Sequence, residues 1–273
     1  MEGDTPLMIA TVYVDESYGD TSRLLVGGLL SSWHKWLGFT LAWNSLLDRA
    51  EVPYAHYLEM DRNKGPYADR TVWNRGRKSA FLQVQYDLMR DWCQMGLTVS
   101  IDTQLYNDVY RANFPKGHSP DSAYGIASKE LIVNAQRHAN EYFSDVESLN
   151  FVWERGHQNL PNVQQIFFEM KDSLGDKAKS LGNFIPLSRT EAVALQLIDQ
   201  LAVAARRTES QAKKKKLFAD VPQGADLATV EGLLAPSETF PIFYHELTEE
   251  RLLWHREHKV EMNQLIRQAR RNR

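Results

Sequence analysis

The sequence predicts an α/β fold built on a mixed sheet flanked by helices. Three observations carry this. Apolar, β-rich runs alternate with segments of helical period along most of the chain. The first two runs are separated only by a turn signal at Tyr18–Ser22, so the sheet opens with an antiparallel pair. The first run, from Leu7 to Val14, is nearly all apolar, as in a strand buried on both faces. With 273 residues, 43% of them hydrophobic and 25% charged, the chain can bury a real core, which excludes collagen-like, low-complexity and wholly disordered classes.

Taken in order, the Leu7–Val14 strand stops at Asp15, Glu16 and Ser17. Arg23–Leu30 is the second strand, and its paired Gly27 and Gly28 predict a bulge or a close approach of backbones. Trp36–Ala50 repeats apolar residues at helical spacing and ends before Pro53; Tyr54–Met60 reads as a short strand. Trp73–Gln94 is a long amphipathic helix with Gly96 as its stop, followed by a strand over Leu97–Leu105. Pro120 and Asp121 open a helix reaching about Tyr142, and the strand Leu149–Trp153 again ends in a carboxylate, Glu154. A helix over Pro161–Leu174 and a short strand over Asn183–Leu187 follow. Ser188 with Glu191 three residues on is a capping box, which opens a helix carrying Asp199 beside an apolar stripe. Lys213–Lys216 interrupts this pattern, Gly224–Ser237 reads as irregular, and Thr248–Arg271 is the last helix. The expected organisation is one domain over 1–207, with a basic loop and helical extension over 208–273 packing on it.

The formal net charge is -3, so the chain as a whole is not a basic nucleic-acid coat. Any such binding must be local, and the positive charge lies toward the C-terminus, with residues 200–273 at +3 and residues 1–199 at -6. Cys93 is the sole cysteine, so an internal disulfide is excluded and a structural zinc site disfavoured. The acidic N-terminus and the lack of any long apolar run point to a cytoplasmic protein with no membrane partner.

Asp15, Glu16, Glu154 and Asp199 stand at strand ends or against an apolar stripe, where burial is costly without a partner. Acids converging on one point share a proton or bind a cation, and hard ions such as Mg²⁺ or Mn²⁺ favour oxygen ligands. Each acid also has a plainer reading. Asp199 can reach solvent or pair with an Arg, Asp15 and Glu16 can open a turn, and Glu154 can form a surface cluster with Arg155 and His157.

VYVDES, then LLVGGLL, then a strand ending in an acid, then a Ser followed by LQLIDQLA, resembles the domain of unknown function 3800 family, grouped with ribonuclease H-like proteins. The resemblance covers most of residues 8–207. It implies a ribonuclease H-like sheet in which a first-strand acid and a last-helix acid, here Asp15 and Asp199, bind metal with acids from intervening elements. Glu154 stands where the family often has Asp, and Ile198 where it often has Ala. The implied activity is Mg²⁺- or Mn²⁺-dependent phosphodiester hydrolysis of RNA or DNA, with Asp15, Glu154 and Asp199 as metal ligands and Asp102, Glu16 and Glu59 as auxiliary catalytic acids.

His56 and His157 are candidate proton shuttles or phosphate contacts. Arg206, Arg207, Lys213, Lys214, Lys215 and Lys216, just beyond the Asp199 helix, are candidate nucleic-acid contacts or a solvated loop; Arg267, Arg270, Arg271 and Arg273 form a second basic patch. The alternative from another class is a catalytically inactive nucleic-acid-binding or protein-interaction module of the same fold. A hydrolase using Ser17 or Ser188 with His56 ranks last, because no G-x-S-x-G elbow is present.

Overall fold

A computed structural model describes residues 8–18, 22–143, 146–174, 180–201 and 240–271. The long apolar runs become β1 (Met8–Tyr18), β2 (Arg23–Ser32), β3 (Met95–Asp102) and β4 (Val146–Glu154), joined by β5 (Leu181–Leu187) and β6 (Ile242–Glu246). Among the described residues they form one sheet in the order β5-β4-β1-β2-β3-β6. β1 is antiparallel to β2 and parallel to β4, β2 is antiparallel to β3, and the outer pairs β4–β5 and β3–β6 are parallel. The sheet is therefore mixed, as the initial hairpin requires.

Helices cover both faces. α1 (Trp33–Ala50), α3 (Arg75–Trp92) and α7, described over 194–201, pack on one side. α5 (Ala123–Tyr142) and α6 (Leu160–Leu174) pack on the other, with α8 (Glu249–Arg271) against them. Alternation along β1 serves the two cores in turn. Ala10, Val12 and Val14 face α5 and α6, while Tyr13 packs toward α1.

Gly27 and Gly28 divide the same way. The β1–β2 register runs unbroken from Ala10–Ser32 to Tyr18–Leu24, so there is no bulge. What approaches closely is a helix on each face. A Cβ on Gly27 would lie 3.2 Å from a methyl of Ile198 on α7, and one on Gly28 would lie 3.3 Å from a methyl of Leu131 on α5.

Four boundaries differ from expectation. β1 does not stop at Asp15 but runs on to Tyr18, because Glu16, Ser17 and Tyr18 stay paired with Val26, Leu25 and Leu24 of β2. Tyr54–Met60 is not a strand: His56 caps a short helix, α2 (Tyr57–Asp61), by accepting from the Glu59 amide at 3.3 Å, and Tyr57 and Met60 are buried at helical spacing. The strand expected to reach Leu105 stops at Asp102, whose carboxylate accepts from the amides of Gln104 and Leu105 and starts the single turn α4 (Thr103–Leu105). The capping box forms, with Ser188 Oγ donating to Glu191 Oε2 at 2.7 Å, but it closes a turn and the helix begins at 194.

The part of the chain beyond 207 contributes β6 to the sheet as well as a helix. α8 is held by ions. Glu130 of α5 meets Arg251 Nη2 at 2.6 Å and His255 Nε2 at 2.7 Å, and Lys259 spans Asp121 at 3.0 Å and Glu169 at 2.9 Å. His258 turns instead to the carbonyl of Trp254, so the two histidines of α8 have separate partners. Arg206, Arg207, Lys213–Lys216, Gly224–Ser237 and Arg273 lie outside the described residues. No described helix is long and apolar enough to cross a membrane.

Candidate functional site

β1 and β4 run parallel and side by side, with Val14 opposite Trp153 as the last registered pair. One residue further each strand carries an acid: Glu154 is the last residue of β4, and Asp15 stands on β1 where its pairing with β4 stops, three residues before the strand's end. The crevice beyond the carboxyl ends of parallel strands is where open α/β sheets place ligands. α7 adds the third acid. Its Ile198 sits against Gly27, the β2 partner of Asp15, and this contact seats Asp199 over the same strand ends.

The carboxylates converge on a residue that the sequence reading did not single out. Arg189 follows β5 by two residues, and Leu187 of β5 is in register with Glu154. Its Nε lies 2.6 Å from Glu154 Oε1, and its Nη2 lies 2.8 Å from Asp15 Oδ2 and 2.9 Å from Glu154 Oε2. Its Nη1 lies 3.5 Å from Asp199 Oδ2. The backbone behind it is fixed. Gln196 Nε2 donates to the Arg189 carbonyl at 3.0 Å, while Gln196 Oε1 accepts from Trp43 Nε1 at 3.1 Å and from the Ala55 amide at 2.8 Å.

Glu16 joins from the opposite pleat. Asp15, Glu16 and Glu154 each offer a carboxylate oxygen within 4.8 Å of the others. Glu16 also faces His157 Nε2 at 3.4 Å, and the His157 ring lies on Tyr124 with centroids 4.1 Å apart. On the other flank, His56 Nε2 stands 3.6 Å from Asp199 and its Nδ1 3.8 Å from Glu59, whose second oxygen accepts from Tyr54 Oη at 2.8 Å.

The environment separates these acids. Asp15 is 1% exposed, and burial, reinforced by Glu154 and Glu16, raises its pKa well above the usual carboxylate range against the pull of Arg189. Burial and the neighbouring Glu154 likewise raise Glu16. For Glu154, burial pushes upward, but the hydrogen bond with Asp15 and the Arg189 guanidinium outweigh it and hold the pKa low. Burial keeps the His157 pKa below the ordinary imidazole value.

Of the six expected acids, Asp15, Glu154 and Asp199 meet at Arg189, and Glu16 is directly beside Asp15 and Glu154. Glu59 is an outer neighbour, reached through His56. Asp102 is not brought in: it lies two strands from β1, opposite Arg23, and caps α4. Ser188 belongs to the capping box and His56 to Asp199 and Glu59, so the two do not form a nucleophile–base pair. Arg189 was foreshadowed only by the physical demand that buried acids find a cation.

The donor set consists of carboxylate oxygens with imidazoles at its edges and no thiolate, which suits a hard divalent ion. The chain matches no protein-family model and no curated protein.

Proposed function

We propose that the protein is a ribonuclease H-like, divalent-metal-dependent phosphodiester hydrolase acting on RNA or DNA. The observation that carries this reading is the convergence of Asp15 from β1, Glu154 from β4 and Asp199 from α7 on one point at the strand ends. The strand order β5-β4-β1-β2-β3, with β2 antiparallel to its neighbours, supports a ribonuclease H-like sheet to which β6 adds an edge. The sequence resemblance to the domain of unknown function 3800 family supports the same assignment.

Asp15 and Glu154 would hold Mg²⁺ or Mn²⁺, with Glu16 and Asp199 completing the shell. When bound, such ions supply water activation and neutralisation of charge on a phosphodiester. The chain's own groups do the rest. His157, kept neutral by burial, accepts the Asn159 amide at Nδ1, so its Nε2 carries the proton and faces Glu16 as a donor. His56 orients Asp199 from the far side. The cationic residues Arg206, Arg207 and Lys213–Lys216, which follow α7 in sequence, are assigned to the phosphate backbone.

The second reading, a non-catalytic module, is favoured by one observation: Arg189 pairs with all three converging acids, as in a structural ion cluster. Thermal melting in EDTA, Mg²⁺ and Mn²⁺ separates the two. A metal enzyme shows a cation-dependent rise in Tm that D15N and D199N both abolish, worth about 2.7 kcal/mol at a hundredfold excess over Kd. Wild-type protein should then cleave labelled RNA, DNA or hybrid, and D15N should not. No rise in the wild type, or a rise that survives both substitutions, overturns the metal reading in favour of the module.

A further inference from the structure

Glu154 has two carboxylate oxygens, and Arg189 holds both: Nε is on Oε1 and Nη2 is on Oε2. The same Nη2 holds Asp15 Oδ2. A divalent ion that takes Glu154 or Asp15 therefore meets a guanidinium already seated on the same oxygens, and at these distances the two cations repel each other strongly. One guanidinium faces Asp15, Glu154 and Asp199, with Glu16 beside them, so the acids still outnumber it.

We propose that Arg189 is a built-in counter-ion that competes with the divalent ion for Glu154 and Asp15, and that metal loading requires its side chain to swing out. The inference rests on the metal-dependent reading above and specifies how that site is regulated. Arg189 substitutes for the ion in the metal-free protein, where it keeps buried carboxylates from facing one another uncompensated. Its side chain is 24% exposed, so an exit to solvent exists, while Gln196 and the Ser188–Glu191 capping box keep its backbone in place.

The test measures Mn²⁺ binding by calorimetry and melting in EDTA and in saturating Mn²⁺, for wild type, R189M and R189K. R189M keeps an unbranched stem and removes the charge. It should bind Mn²⁺ at least tenfold more tightly than wild type, melt below wild type in EDTA, and recover to wild-type Tm or above in Mn²⁺. R189K retains a charge but loses the two-pronged grip, and should bind with intermediate affinity. If R189M does not fold, tightening in R189K alone decides. Wild type that binds Mn²⁺ while the variants bind it no more tightly overturns the counter-ion role, as does an R189M deficit in Tm that persists undiminished in Mn²⁺. If neither the wild type nor any folded variant binds Mn²⁺, the metal reading itself falls, and the competition with it.

Discussion

Where α8 packs on the core, Glu130 meets Arg251 and His255 while Lys259 spans Asp121 and Glu169, whereas at the strand ends a single guanidinium faces Asp15, Glu154 and Asp199. In the first region acids and cations are nearly matched, and each contact ties α8 to α5, to α6 or to Asp121 just before α5. In the second the acids exceed the cations, and the contacts gather residues from β1, β4, α7 and the turn after β5 into one small volume. Matched buried charges fasten elements together; an excess of one sign raises carboxylate pKa values and invites a mobile ion. The difference separates a fastening from a site.

The largest effect expected on this contrast is at Glu130. Glu130→Ala leaves Arg251 and the buried His255 without their acid and should cost about 3 kcal/mol in urea unfolding. It should leave any Mn²⁺-dependent stabilisation at Asp15 unchanged, and loss of that response would erase the distinction between the regions.

A smaller effect is the pH dependence of the α8 anchor. Burial holds the His255 pKa below its ordinary value despite Glu130, opposed also by Lys129 and Arg251. The unfolded chain therefore takes up a proton below about pH 6.5 before the native state does, and stability falls as pH falls from there. For Glu130, burial pushes upward, but His255 and Arg251 prevail and lower its pKa, so its ionic contribution is present above the usual Glu value and is lost as pH falls further. His245, held down to about 4 by burial, adds to the same acid-side loss. Unfolding free energy measured between pH 7 and 5 should slope less steeply in His255→Gln than in wild type. An identical slope would remove His255 from the anchor.

The smallest effect belongs to Arg155, which reaches Glu191 at 3.4 Å with both side chains about half exposed. Arg155→Ala should leave the unfolding midpoint within experimental error, because exposed ion pairs are screened and cost side-chain entropy. A clear drop would mean that the rim of the acidic site carries structural weight.

The sequence displays these parts unequally. Continuous apolar strands such as VYV and LLVGGLL and the amphipathic helices are legible because burial on a sheet face or helix stripe imposes a period. Asp15 and Glu154 are legible as acids that end such runs. Tyr54–Met60 misleads because its aromatic residues favour strands, whereas the His56 cap decides locally for a helix. β6 escapes notice because its five residues gain their place from pairing with β3, which is a distant contact. Arg189 is illegible for a deeper reason. An Arg in a polar turn reads as a surface residue, and its meaning comes from the β4–β5 register that delivers it to Glu154.

Gln196 limits which part of the site can move. Its one amide ties the Arg189 carbonyl to α1 through Trp43 and to the segment before α2 through Ala55. The turn carrying Arg189 cannot lift from α7 without breaking the hydrogen bond its carbonyl accepts from Gln196, a side chain itself pinned by Trp43 and Ala55. The exchange proposed at the acids would then be a rotation of the Arg189 side chain about a backbone that α7 holds in place.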